Sequence, residues 1–175
     1  MADTIHLEIV TPDGLKLAAD VNEFTAPGVV GEFGVLPGHV PLLTGLATGI
    51  VTYQVGAEKH AVAIGRGYAE IAADKATLLT LNFIKKEDVD PVVVRLELKA
   101  ADEALDKFEG DLQGPEYTEL LARELWAAAE LEVYGDPPPP RMKVLNEMSF
   151  GHRENYAELA KKDGESAASE DKPAH

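Results

Sequence analysis

The hydrophobic pattern of this chain changes period once, near Asp88, and that change limits the fold it can adopt. Before it, apolar residues recur at every second position. Ile5, Leu7 and Ile9 alternate with His6 and Glu8, Leu15 and Leu17 repeat the pattern, and Val51, Tyr53 and Val55 alternate with Thr52 and Gln54. A period of two turns one face of an extended strand to a core and the other to solvent. Short runs at Val62 to Ile64 and Leu78 to Leu81 complete the set. Pro12-Asp13-Gly14, Ala26-Pro27-Gly28, Leu36-Pro37-Gly38, Gly65-Arg66-Gly67 and Ala73-Asp74-Lys75 read as the turns between strands. Many short strands without a helical period between them predict an antiparallel β-sandwich or flattened barrel over residues 1–86.

Beyond Asp88 the spacing becomes helical. Asp90 is placed to accept from the free amides of a first turn, and Pro91 suits that turn because it has no amide hydrogen to leave unpaired. Val94, Leu98, Ala101, Leu105 and Phe108 then recur at steps of four and three until Gly110. Pro115 opens a second helix with Tyr117, Leu121, Leu125, Ala128 and Leu131 along one side, stopped by Gly135 and by Pro137 to Pro140. The short connection makes the two an antiparallel hairpin over residues 87–136. The proline run adopts an extended form and opens an extension over residues 137–175. There Met142, Leu145, Met148 and Phe150 are apolar enough to dock, whereas Lys161 to His175, rich in charge, Ser and Ala, is expected to stay disordered.

Charge excludes two classes of partner. The chain carries a net −15, and fifteen acids against four bases lie within residues 87–136 alone. Nucleic-acid binding and adsorption to anionic lipid both need a surplus of Lys and Arg. No apolar stretch reaches membrane-spanning length and no signal peptide is expected, so any membrane association comes through a protein partner. Cysteine is absent, which removes disulfides and thiolate chemistry.

A catalytic constellation is missing too. The five histidines, His6, His39, His60, His152 and His175, are scattered without a second ligand at metal-binding spacing. A cupin-like enzyme needs two histidines close together on a strand, but Val40 and Pro41 follow His39. Ser149, Ser166 and Ser169 lie in or near the tail, outside any Gly-x-Ser-x-Gly elbow. Gly28, Gly31, Gly34 and Gly38 precede neither a Lys-Ser/Thr pair nor a helix start, so they read as turn glycines and not as a phosphate loop. No catalytic residue, metal or cofactor is expected. A freestanding ligand-binding sandwich and a sandwich enzyme remain the alternatives to a structural subunit.

The stretch from Ala26 to Leu43, APGVVGEFGVLPGHVPLL, resembles the signature of the epsilon subunit of bacterial F-type ATP synthases. His6 to Gly14, Gly65 to Glu70 and the helical hairpin follow in family order, and the resemblance runs from about Ile5 to Tyr134. It implies a non-catalytic subunit of the rotating central stalk, peripheral to the cytoplasmic face of the cell membrane, whose sandwich binds the gamma subunit and sits on the c-ring. By the same resemblance Glu32, Phe33 and Gly34 form the turn that meets the ring, with His39 nearby. The hairpin is the family's regulatory element, able to extend toward the alpha/beta catalytic head and block ATP hydrolysis. Two departures stand out. In relatives that sense ATP an Ile/Leu-Asp-x-x-Arg-Ala motif opens the first helix, but here Val93 occupies the arginine position and Arg95 is the first arginine. The hairpin is also strongly acidic where the family places basic residues, with Arg141, Lys143 and Arg153 of the extension as the available compensation.

Overall fold

The computed structural model describes residues 4–138. The expectations for the extension past Pro138, including its docking residues, basic residues and disordered end, lie outside the described residues.

Ten strands precede two helices: β1 (Ile5–Thr11), β2 (Gly14–Val21), β3 (Glu23–Gly28), β4 (Gly31–Val35), β5 (Leu42–Leu46), β6 (Gly49–Val55), β7 (Glu58–Ile64), β8 (Gly67–Ala72), β9 (Lys75–Thr80) and β10 (Phe83–Lys85), then α1 (Pro91–Asp106) and α2 (Pro115–Tyr134). Hydrogen bonding runs β10-β7-β6-β3-β5-β8-β9-β1-β2, with β4 on the free side of β3. β3 is the corner. Its first residues pair with β6, whereas Gly28 pairs with Leu46 of β5, so one strand joins the two halves of the sandwich. All pairs are antiparallel except β1 with β9. Alternation works as expected on β1, where Ile5, Leu7 and Ile9 are fully buried. With Phe24, Val51, Ile64, Ile71 and Leu78 they form the core between the sheets.

The expected turn at Ala26-Pro27-Gly28 is a strand instead, paired with β4 from Phe24 to Gly28. Pro27 is tolerated because it falls where β3 exchanges β6 for β5 and no partner needs its amide, while its carbonyl accepts from Ala47 at 2.9 Å. Of the four supposed turn glycines, Gly31, the first residue of β4, and Gly38 do have positive φ, whereas Gly28 and Gly34 are strand residues without it.

The hairpin follows its predicted boundaries closely, α1 ending four residues before Gly110. Asp90 caps α1, its Oδ1 accepting from the amides of Val92 at 2.9 Å and Val93 at 3.3 Å. Gly135 ends α2 in the left-handed conformation, φ 103°. Arg95 Nε donates to Asp136 Oδ2 at 3.0 Å and ties the end of α2 to α1. Burial on α2 is wider than one stripe. Ala127, Ala129, Glu130 and Val133 are buried in addition to Leu131, because α2 meets α1 on one side and strands β6 and β7 on the other.

Candidate functional site

Each sheet has an outward face, and the two are treated differently. On β6, β7 and β10 the cross-strand row Ile50, Ala63 and Ile84 is apolar, and Ala63 has no exposed surface because α2 packs over it with Ala127, Leu131 and Val133. The small side chain at its centre lets the helix approach closely.

The corresponding row on the other sheet has no cover. Register places Gly45 (β5) beside Tyr68 (β8), Tyr68 beside Leu79 (β9), Leu79 beside Val10 (β1) and Val10 beside Leu15 (β2). Five strands thus present one apolar line, with Tyr68 65% and Leu79 51% exposed. A groove of about 880 Å³ runs along it, and Val29, Arg66 and Leu81 also line it. Glycines shape its floor. A Cβ at Gly67 would lie 1.8 Å from the Leu79 carbonyl oxygen, so β8 and β9 meet this closely only with glycine there. A Cβ at Gly45 would lie 3.2 Å from both methyls of Val29, which folds over the strand from the β3–β4 turn, its amide donating to the Gly45 carbonyl at 3.1 Å.

Along the same face the chemistry grades from apolar to charged. The next row holds Leu43, Glu70, Thr77, Glu8 and Ala18, and the one beyond it Ala72, Lys75, His6 and Asp20. His6 Nδ1 is 2.7 Å from Asp20 Oδ1, and Lys75 Nζ lies 2.9 Å from Glu8. That lysine, through its hydrogen bond, holds the Glu8 carboxyl below the usual carboxylate range. An apolar bar with a charged flank is the anatomy of a protein-docking surface, and these residues are contiguous across five strands where exposed hydrophobics are ordinarily scattered singly.

The residues singled out from sequence sit elsewhere. Glu32, Phe33 and Gly34 are on β4 and not in a turn; the turn of that hairpin is Val29–Val30. Strand alternation exposes Glu32 and Gly34 and sends Phe33 partly into the core. His39 lies in the segment between β4 and β5, half-buried, its amide donating to Leu36 O at 3.1 Å and its Nδ1 2.7 Å from Val40 O. The apolar bar was missed by sequence reasoning, although Tyr68 in the motif from Gly65 to Glu70 and the run from Leu78 to Leu81 both contained it. Among the described residues, no group of three or more His, Cys, Asp or Glu is arranged to hold a metal, and no helix is long and apolar enough to cross a membrane.

A family model for the ATP synthase Delta/Epsilon chain beta-sandwich domain matches residues 4–86. The ATP synthase epsilon chain of Nitratidesulfovibrio vulgaris strain DP4 is 37% identical over 136 residues, which are 78% of this chain and 99% of that protein. The ATP synthase epsilon chain of Geotalea uraniireducens strain Rf4 is 39% identical over 62% of this chain and 78% of its own length. One chain in the cryo-EM structure of the Euglena gracilis mitochondrial ATP synthase, OSCP/F1/c-ring in rotational state 1, has the same fold. It superposes with a TM-score of 0.56 at 23% identity, over 78% of this chain and 80% of that one. With a sandwich that fits the family model and a bacterial relative matched almost end to end, the chain belongs to the ATP synthase epsilon chain family, a non-catalytic subunit of that complex.

Proposed function

We propose that the apolar bar from Gly45 to Leu15 seats the gamma subunit, and that Glu32, Phe33, Gly34 and His39 face the c-ring. This central-stalk subunit then clamps the shaft to its proton-driven ring at the cytoplasmic face of the membrane. The observation that carries the reading is the asymmetry of the two sheets: α2 covers one outer apolar row, and no element among the described residues covers the other. Burying such a bar contributes roughly 25 cal/mol per Å² of apolar area. For the ring side the support is resemblance together with exposure. Glu32 and Gly34 present polar and backbone groups at the edge of β4, and Phe33 anchors that strand to the core.

A clamp that transmits torque has to resist shear. The sandwich is densely packed and joined through one corner strand, whereas the hairpin holds to it through α2. We read residues 1–86 as the stiff body, residues 87–136 as a separable unit, and residues 137–175 as a linker and extension. The hairpin carries fifteen acids where the family places basic residues, and these oppose its insertion into the catalytic head, so its inhibition of ATP hydrolysis is weak. Co-purification tests the assignment. The tagged chain should bring down gamma and the c-ring together, and recovery of the chain without either would refute it.

A further inference from the structure

Between β8 and β9 the chain reverses through Ala73 and Asp74, both with positive φ, 48° and 59°. Glycine or asparagine adopts that left-handed pair most easily, and alanine does so only under strain. Despite this the turn is firmly held. Ala72 pairs with Lys75 across it, and the Asp74 carbonyl accepts from the His6 amide of β1 at 2.9 Å. The side chain of Asp74 has a different use: its Oδ1 accepts from the amide of Gly38 at 2.8 Å, reaching across 36 positions of sequence. Gly38 is the left-handed residue of the turn before His39, φ 76°, and its would-be Cβ has open space around it. Conformation, and not packing, therefore demands glycine there. The hydrogen bonds of His39 itself, to Leu36 and Val40, are local to the segment and do not tie it to the sandwich. Leu36 and Val40 on either side are exposed and add little packing.

We propose that Asp74 is a positioning residue for the ring-facing surface. Its carboxylate pins the Gly38 amide to the β8–β9 corner and holds the His39 turn in one orientation under load. The proposal rests on the reading of Glu32 and His39 as ring-facing. The bond needs only an acceptor oxygen at this corner, and it reaches the segment from outside, which the contacts inside the turn do not. The strained Ala73-Asp74 geometry is the arrangement in which this aspartate both closes its hairpin and reaches the neighbouring turn.

The test uses the full chain with Asp74→Gly and Asp74→Asn. Glycine accepts the left-handed backbone and removes only the acceptor, while asparagine keeps an oxygen and tolerates the same conformation. By NMR, Asp74→Gly should speed amide exchange of Gly38 about tenfold or more and leave strand amides at the parent rate, with Asp74→Asn within about threefold of the parent. In the complex with gamma and the c-ring, Asp74→Gly should dissociate about tenfold faster, and Asp74→Asn should behave as the parent. Unchanged Gly38 exchange in Asp74→Gly overturns the proposal outright. Glu32→Ala and His39→Ala separate the remaining outcomes. If they speed dissociation and Asp74→Gly does not, the positioning role is wrong and the ring-facing reading stands. If none of the three does, the ring-facing reading fails and takes the proposal with it.

Discussion

Replacing Tyr68 with serine should weaken binding to gamma about 30-fold in a chain that still folds. Tyr68 is 65% exposed in the free chain and lies in the apolar bar between Gly45 and Leu79. An aromatic side chain offers roughly 200 Å² for burial, so about 130 Å² is left for a partner to cover, worth about 3 kcal/mol at ~25 cal/mol per Å². Desolvating the phenolic hydroxyl lowers that to about 2 kcal/mol, a loss of about 30-fold in Kd. Folding loses only the third already covered, about 70 Å² and so about 2 kcal/mol. Calorimetric titration into purified gamma, with a thermal melt of each variant, separates the two effects. Val92→Ser serves as a control, because Val92 is similarly exposed, at 64%, but lies on α1. An affinity within about twofold of the parent for a folded Tyr68→Ser would refute the assignment of this face.

Three further outcomes follow from the hairpin. Burial first, and then the charge of Glu97, raise the pKa of Glu130 above its unfolded value, partly offset by a hydrogen bond from Trp126. The folded state therefore keeps that proton longer than the unfolded chain, and stability falls as pH rises from the ordinary glutamate range through the raised folded value. Glu130→Gln should melt higher than the parent at pH 7, with the gap closing near about pH 4, and an equal gap at both would contradict this. Asp90→Ala removes the acceptor at the start of α1 and should cost about 1 kcal/mol in a urea titration, where an unchanged midpoint would show that the cap is idle. Deleting residues 88–175 should barely raise the ATPase rate of the assembled enzyme, and a several-fold rise would show that the acidic hairpin inhibits after all.

How far the sequence reached is clearest at particular residues. The strands of β1 and β6 and both helices were legible because each carries its own periodicity and caps: Ile5, Leu7 and Ile9 in one case, Asp90-Pro91 and Gly135 in the other. Pro27 misled because a proline reads locally as a turn, while its place in β3 depends on where two other strands begin and end. Buried Glu124 and Glu130 contradict a one-sided amphipathic helix, and only tertiary packing on both sides of α2 explains them. The site was harder still. Val10 and Leu15 lie more than fifty positions from Tyr68 and Leu79 and join them in a bar only through register, including the bulge between Ile9 and Val10 that sets Leu15 opposite Val10. Glu32 to Gly34 and His39, in contrast, are proposed on the resemblance of a contiguous motif. The place of Glu32, Phe33 and Gly34 on β4 was not visible, because the glycines around them suggested turns throughout.

Hydrogen–deuterium exchange of the whole chain, alone and bound to gamma, tests the central claim most directly. Slowed exchange concentrated in Gly67–Ala72, Lys75–Thr80 and the Val29–Val30 turn, with the helix from Pro91 to Asp106 unaffected, is the expected result. Protection that falls on that helix while β8 and β9 exchange as in the free chain would contradict it.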